Sequence, residues 1–202
     1  TGKTIVALHR AAHLAEHNAT ASVLLTTFSQ ELADALTVKL DILTQAQPEL
    51  RDRITVHPLD QAAVDLYGAQ FDEPNCATSS QIRAMVADIK AAGVGGNLTP
   101  QFLLEEWEEL VDAWGVTDAD SYFTIPRIGR RTRLGPQQRE AAWAVFEAVR
   151  QGLSERGLVT WSMIYDRLTD WLRSGGALPF DHVVVDEAQD LTVAQVRFLA
   201  EV

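Results

Sequence analysis

Apolar positions at the start of the chain follow a helical repeat: Ile5, Leu8, Ala11, Ala12 and Ala15 share one face through about Glu16. The pattern then changes to an extended run, Ala21 to Phe28, with Val23, Leu24 and Leu25 as its buried part. Ser29 is an N-cap for a second helix, which carries Leu32, Ala33, Leu36 and Leu40 on one face. Pro48 closes that region. A short strand over 53–57 leads into a helix from about Leu59 to Tyr67. Helix and strand alternate up to this point, which predicts a parallel α/β sheet.

From about Gly68 to Gly157 no buried strand is visible. Residues 68–80 are polar, contain Pro74 and read as a loop. A helix over about 80–92 ends at Gly93, and Gly95-Gly96-Asn97 forms a turn. Thr99-Pro100 then supplies a cap followed by proline at the first helical position. Phe102, Leu103, Trp107, Leu110, Val111 and Trp114 line that helix. Pro136 opens another, with Ala142, Trp143, Phe146, Val149 and Leu153 on its apolar side. This predicts an all-helical insertion over 69–157, interrupting an α/β domain made of 1–68 and 158–202. Beyond it, Thr160 caps a helix with Ile164, Leu168, Trp171 and Leu172, which ends at Gly175-Gly176. Three valines, Val183 to Val185, read as a strand buried on both faces, and a last helix starts near Thr192. The five tryptophans, Trp107, Trp114, Trp143, Trp161 and Trp171, fall at core spacings and are read as packing.

Composition adds limits. With 202 residues, 47% hydrophobic and 22% charged, the chain has the make-up of an ordinary globular protein. Cys76 is the single cysteine, which excludes a disulfide framework and a cysteine-rich zinc site and fits a cytoplasmic protein. No apolar run approaches the roughly 18 residues of a membrane span, and no secretory leader is visible, so no membrane partner is expected. A net charge of −11 argues against a generally basic surface that coats nucleic acid. Basic charge is nevertheless concentrated locally, in Arg127, Arg130, Arg131, Arg133 and Arg139.

The candidate chemistry lies at the two ends. The valine strand delivers Asp186-Glu187-Ala188-Gln189-Asp190 at its carboxyl end, where ligands of open α/β sheets bind. Thr1-Gly2-Lys3-Thr4 has the ending of a phosphate-binding loop, G-x-x-x-x-G-K-[ST], followed by the helix that such a loop requires. A lysine, a magnesium ion and an oriented water around a γ-phosphate are what phosphoryl transfer needs. Thr4 and Asp186 are the metal ligands expected for that chemistry, and Glu187 is the group expected to orient or deprotonate water.

These residues resemble the UvrD/Rep-like superfamily 1 DNA helicases. Gly2-Lys3-Thr4 looks like the end of the Walker A loop, and Asp186-Glu187-Ala188-Gln189-Asp190 like Walker B. Gln189 is informative, because superfamily 2 carries Asp-Glu-Ala-Asp or Asp-Glu-x-His there. Leu25-Thr26-Thr27-Phe28 and Thr55-Val56-His57 look like segments that contact single-stranded DNA. Residues 122–143, with Arg127-Ile128-Gly129-Arg130, look like the helical insertion of these enzymes.

The resemblance implies a P-loop, RecA-like fold and an ATP hydrolase that moves 3′→5′ on single-stranded DNA or a 3′-tailed duplex, with ATP and Mg²⁺ bound. Thr1, Gly2, Lys3, Thr4, Asp186 and Gln189 would hold the nucleotide, with Lys3, Glu187 and Gln189 acting in catalysis. Thr26, Thr27, Phe28, His57, Arg127, Arg130 and Arg131 would meet nucleic acid. Phe28 is equally readable as core, and His57 as a hydrogen-bonded structural histidine. Ile5 departs from the family, where arginine commonly follows the Walker A threonine.

The chain is expected to be a fragment, because it lacks an initiator methionine, the first half of the phosphate loop and a second RecA-like motor domain. Hydrolysis by these residues alone is therefore expected to be poor. Other readings are a motor subunit of a nuclease-coupled repair complex, or a DNA-binding regulatory module without hydrolysis.

Overall fold

The computed structural model describes residues 2–126 and 133–202. Thr1, Arg127, Arg130 and Arg131 lie outside the described residues. In chain order the elements are α1 (Gly2–His17), β1 (Val23–Thr27), α2 (Gln30–Leu43), α3 (Pro48–Arg51), β2 (Ile54–Pro58) and α4 (Leu59–Gln70). Then follow α5 (Ser79–Ala91), α6 (Pro100–Glu106), α7 (Ala119–Thr124), α8 (Pro136–Glu155), α9 (Trp161–Arg173), β3 (His182–Val185) and α10 (Val193–Leu199).

The chain divides into two compact units, one of 1–73 with 167–202 and the other of 74–166. The first holds a parallel sheet of order β2-β1-β3, with Val23 level with Ile54 and His182. Strand alternation sends Val23, Leu25, Ile54, Val56 and Val184 to one face. There they pack with Leu8, Ala11 and Ala15 of α1 and Leu36 and Leu40 of α2. On the opposite face Leu24, Thr55, His57 and Val183 line a groove of about 390 Å³ with Leu59, Leu66, Phe180 and Phe198. The central strand β1 is buried throughout, whereas every residue of β3 is half-buried. The valine run therefore differs from the expectation of a strand covered on both faces. Among the described residues it bonds only to β1, and Val183 borders the groove.

In the second unit Leu103, Trp107, Val111, Tyr122, Val145, Phe146 and Val149 form a core without sheet support. Its only strand-like feature among the described residues is a single bridge between Cys76 and Val159. The helix expected from Thr99 to Trp114 changes its winding: α6 passes into a wider π-helical stretch at Trp107–Asp112. The short helices α3 and α7 answer to no hydrophobic repeat. Each starts from a local signal, proline at the first position for α3 and an Asp118 side chain accepting from the Ser121 N–H for α7. Trp114 and Trp161 are exposed, so two of the five tryptophans do not serve as core. No helix among the described residues is long and apolar enough to cross a membrane.

Candidate active site

The carboxyl edge of the sheet is built by β1, β3 and the first turn of α4. Asp186 follows β3 directly, and its N–H donates to the Thr26 carbonyl at 2.8 Å, extending the β1–β3 pairing by one residue. Only 8% of Asp186 is exposed. It borders a small recess with Thr27, Phe28, Asp60, Glu187, Leu191 and Gln195. Gln195 holds the walls together: its side-chain amide donates to Asp60 at 3.0 Å, and its carbonyl oxygen accepts from the Thr192 N–H at 2.8 Å.

Glu187 has φ 59° and ψ 44°, and among the described residues it is the one non-glycine with positive φ. A glutamate gains nothing locally from this conformation, which costs about 1–2 kcal/mol. Its effect is to turn the chain sharply off β3 into a tight turn, Ala188–Asp190. That turn returns Gln189 over Glu187, and the Gln189 amide donates to Glu187 Oε2 at 2.5 Å and, at 3.4 Å, to Asp190 Oδ2. Such outliers cluster at functional sites.

The direction of α1 follows from Arg53, which sits just before β2. Its guanidinium donates to the carbonyls of Ala15 and, at 2.7 Å, of Asn18. The last turn of α1 is thereby tied to the amino end of the strands. Because α1 packs along β1 and β3, its 16 residues, about 24 Å of helix, run back toward the carboxyl edge. Gly2 and Lys3 are exposed in its first turn, Thr4 is half-buried, and no acidic residue there neutralises the positive end of the helix. A Cβ on Gly2 would meet nothing within 4 Å.

The remaining sequence candidates separate. Phe28 is 65% exposed beside the recess, which removes the core reading. Thr26 and Thr27 are 0% and 2% exposed, and their hydroxyls lack a hydrogen-bond partner. In this conformation neither side chain is at the surface. His57 lines the groove on the second sheet face and is not among the residues that line the recess around Asp186. Asp60 and Gln195 were missed by the motif reading. A signal for Gln195 is present in the sequence, because Thr192-x-x-Gln195 is a capping box and the structure forms it.

The donor set suits magnesium. The residues lining the recess include three carboxylates and no lysine or arginine, and Mg²⁺ takes one or two carboxylates together with waters and phosphate oxygens. Among the described residues no group of three or more His, Cys, Asp or Glu could hold a metal ion by itself.

A three-stranded parallel sheet with Gly-Lys-Thr opening one helix and Asp-Glu following one strand belongs to a P-loop, RecA-like fold. The chain belongs to the family described as UvrD/REP helicase N-terminal domain, whose model matches residues 1–202. It is a family of helicases that bind nucleotide and DNA. A comparison with curated proteins gave no match.

Proposed function

We propose that this chain is the nucleotide-binding motor domain of an ATP-dependent DNA helicase that moves 3′→5′ along single-stranded DNA. The observation that carries the reading is the shared edge: the Asp186-Glu187 pair and the open amino end of α1 lie at the same end of the sheet. In this reading the N–H groups of the first turn of α1 and the Lys3 ammonium bind the β- and γ-phosphates. Thr4 and Asp186 hold Mg²⁺, which when bound neutralises charge on the phosphates. Glu187 orients and deprotonates the attacking water, and Gln189 senses the γ-phosphate. Residues 1–68 and 158–202 form the motor, with 69–157 as its helical insertion.

Phe28 stacks on a base beside the nucleotide site, so DNA contact and hydrolysis meet at the end of β1. Arg127, Arg130 and Arg131 add phosphate contacts from the insertion. A second RecA-like domain supplies the cationic groups that the recess around Asp186 does not contain. The resemblance to superfamily 1 supports the polarity and a role in DNA repair.

The test is Lys3→Ala in the full-length protein, with ATP turnover measured with and without single-stranded DNA and unwinding of a 3′-tailed duplex. Both activities are expected to be lost while the chain remains folded. DNA-stimulated turnover equal to the parent protein would overturn the proposal.

A further inference from the structure

Glu187 is the residue assigned to the attacking water, yet one of its oxygens is already occupied. The Gln189 amide donates to Glu187 Oε2 at 2.5 Å and, more weakly, to Asp190 Oδ2 at 3.4 Å. This places one donor between two carboxylates that would otherwise repel each other. The left-handed backbone at Glu187 makes the arrangement possible, since the tight turn Ala188–Asp190 carries the Gln189 side chain back over its neighbour. Gln189 is exposed, and Glu187 is half-buried. The amide therefore reaches the carboxylate from the more exposed side. A carboxylate oxygen that already accepts from an N–H is not free to accept from a water in the same position.

We infer that Gln189 is a latch on Glu187: it covers the carboxylate in the resting state and releases it when a phosphate oxygen recruits its amide. The inference rests on the reading of Glu187 as the water-orienting residue. It gives Gln189 a positioning role in addition to sensing nucleotide. A nucleoside triphosphate supplies the competing acceptor at the site, and a diphosphate does not. The latch thereby suppresses hydrolysis until the terminal phosphate is in place, and it ties turnover to whatever draws the 188–190 turn outward, including DNA on neighbouring Phe28.

The experiment compares Gln189→Ala and Gln189→Glu with the parent in the full-length protein, with ATP turnover measured without and with single-stranded DNA. Neither variant has an amide to donate. Both are expected to raise DNA-free turnover by about tenfold, the factor matching loss of a charge-assisted hydrogen bond, while DNA-stimulated turnover stays level or falls. Damage to folding or to nucleotide binding would lower both rates together, and that outcome overturns the latch, as does unchanged DNA-free turnover.

A second readout is independent of turnover. In protein labelled with ¹⁵N-glutamine, the side-chain amide signal that Gln189→Ala removes should move on adding a non-hydrolysable triphosphate and stay in place with diphosphate. The same shift with both nucleotides would overturn the proposal. Lys3→Ala separates the two claims: hydrolysis that survives it defeats the proposed function itself, whatever Gln189 does.

Discussion

Ser22 and Asp181, 159 positions apart, lock together where β1 and β3 begin: the Ser22 N–H and hydroxyl donate to Asp181 Oδ2 at 2.8 and 3.0 Å. The Asp181 N–H in turn donates to the Ser22 carbonyl at 2.9 Å. This joint fixes the β1–β3 register, and the register decides how far along the sheet edge Asp186 emerges.

The joint has a pH signature. Hydrogen bonds from the Ser22 backbone and then its hydroxyl hold the Asp181 carboxyl below the ordinary aspartate range. A value depressed in the folded state means that the contribution is present above the unfolded value and is lost as pH falls through the folded one. Asp181→Ala should therefore melt below the parent at pH 7, and the difference should close on acidification below about pH 4. Thermal denaturation at pH 7 and at successively lower pH measures this, and a gap that does not narrow at all below about pH 4 would remove the charge from the explanation.

Asp112 behaves in the opposite sense. It accepts from the hydroxyls of Thr160 and, at 2.6 Å, Ser162, but its removal from water pushes the carboxyl above the ordinary range. A raised value means that the favourable contribution is present below the unfolded value and is lost as pH rises through the folded one. Asp112→Asn keeps an oxygen for both hydroxyls and has no charge to bury. Its stability relative to the parent should increase from about pH 4 toward pH 7. Urea denaturation at several pH values tests the slope, and a relative loss with rising pH would contradict it.

These two aspartates also show what the sequence makes legible. The alternation of α1, β1, α2 and β2, the helical stretch after α4 and the Asp-Glu pair ending a valine strand were all readable, because each is a local pattern with one physical meaning. Partners far apart in sequence were not. Nothing near Ser22 points to Asp181, and nothing near Asp112 points to Ser162. Burial depends on neighbours: Val183 to Val185 look like a strand buried on both faces, but among the described residues β1 alone pairs with them and they are half-buried. Thr26 and Thr27 look like contact residues, and the fold buries them. Glu187 is the sharpest case. A glutamate carries no signal for positive φ, so its backbone, and with it the Gln189 contact, became visible only in the fold.

Phe28 separates binding from stability. At 65% exposure it contributes little to packing, so Phe28→Ala should leave the melting temperature close to the parent value. If the ring stacks on a base, single-stranded DNA affinity should weaken by about 1–3 kcal/mol. Fluorescence anisotropy at one fixed salt concentration measures it. Unchanged affinity would return Phe28 to the status of an exposed aromatic without a role.

Glu187 sets stability against activity at a single residue. Its left-handed backbone is unfavourable for any residue with a Cβ, and glycine adopts it freely, though with a greater loss of chain entropy on folding. Glu187→Gly should therefore be as stable as the parent or more stable by up to about 1 kcal/mol. The same change removes the carboxylate proposed to act on water, and turnover should fall by about 10²–10⁴-fold. Glu187→Gln, which keeps the side chain's size and the backbone strain, should lose activity to the same degree without the gain in stability. Thermal melts and ATPase assays on the two variants distinguish the effects. If glycine is destabilising, the conformation is relaxed, and the 187–190 turn is held in place by contacts of the Glu187 side chain.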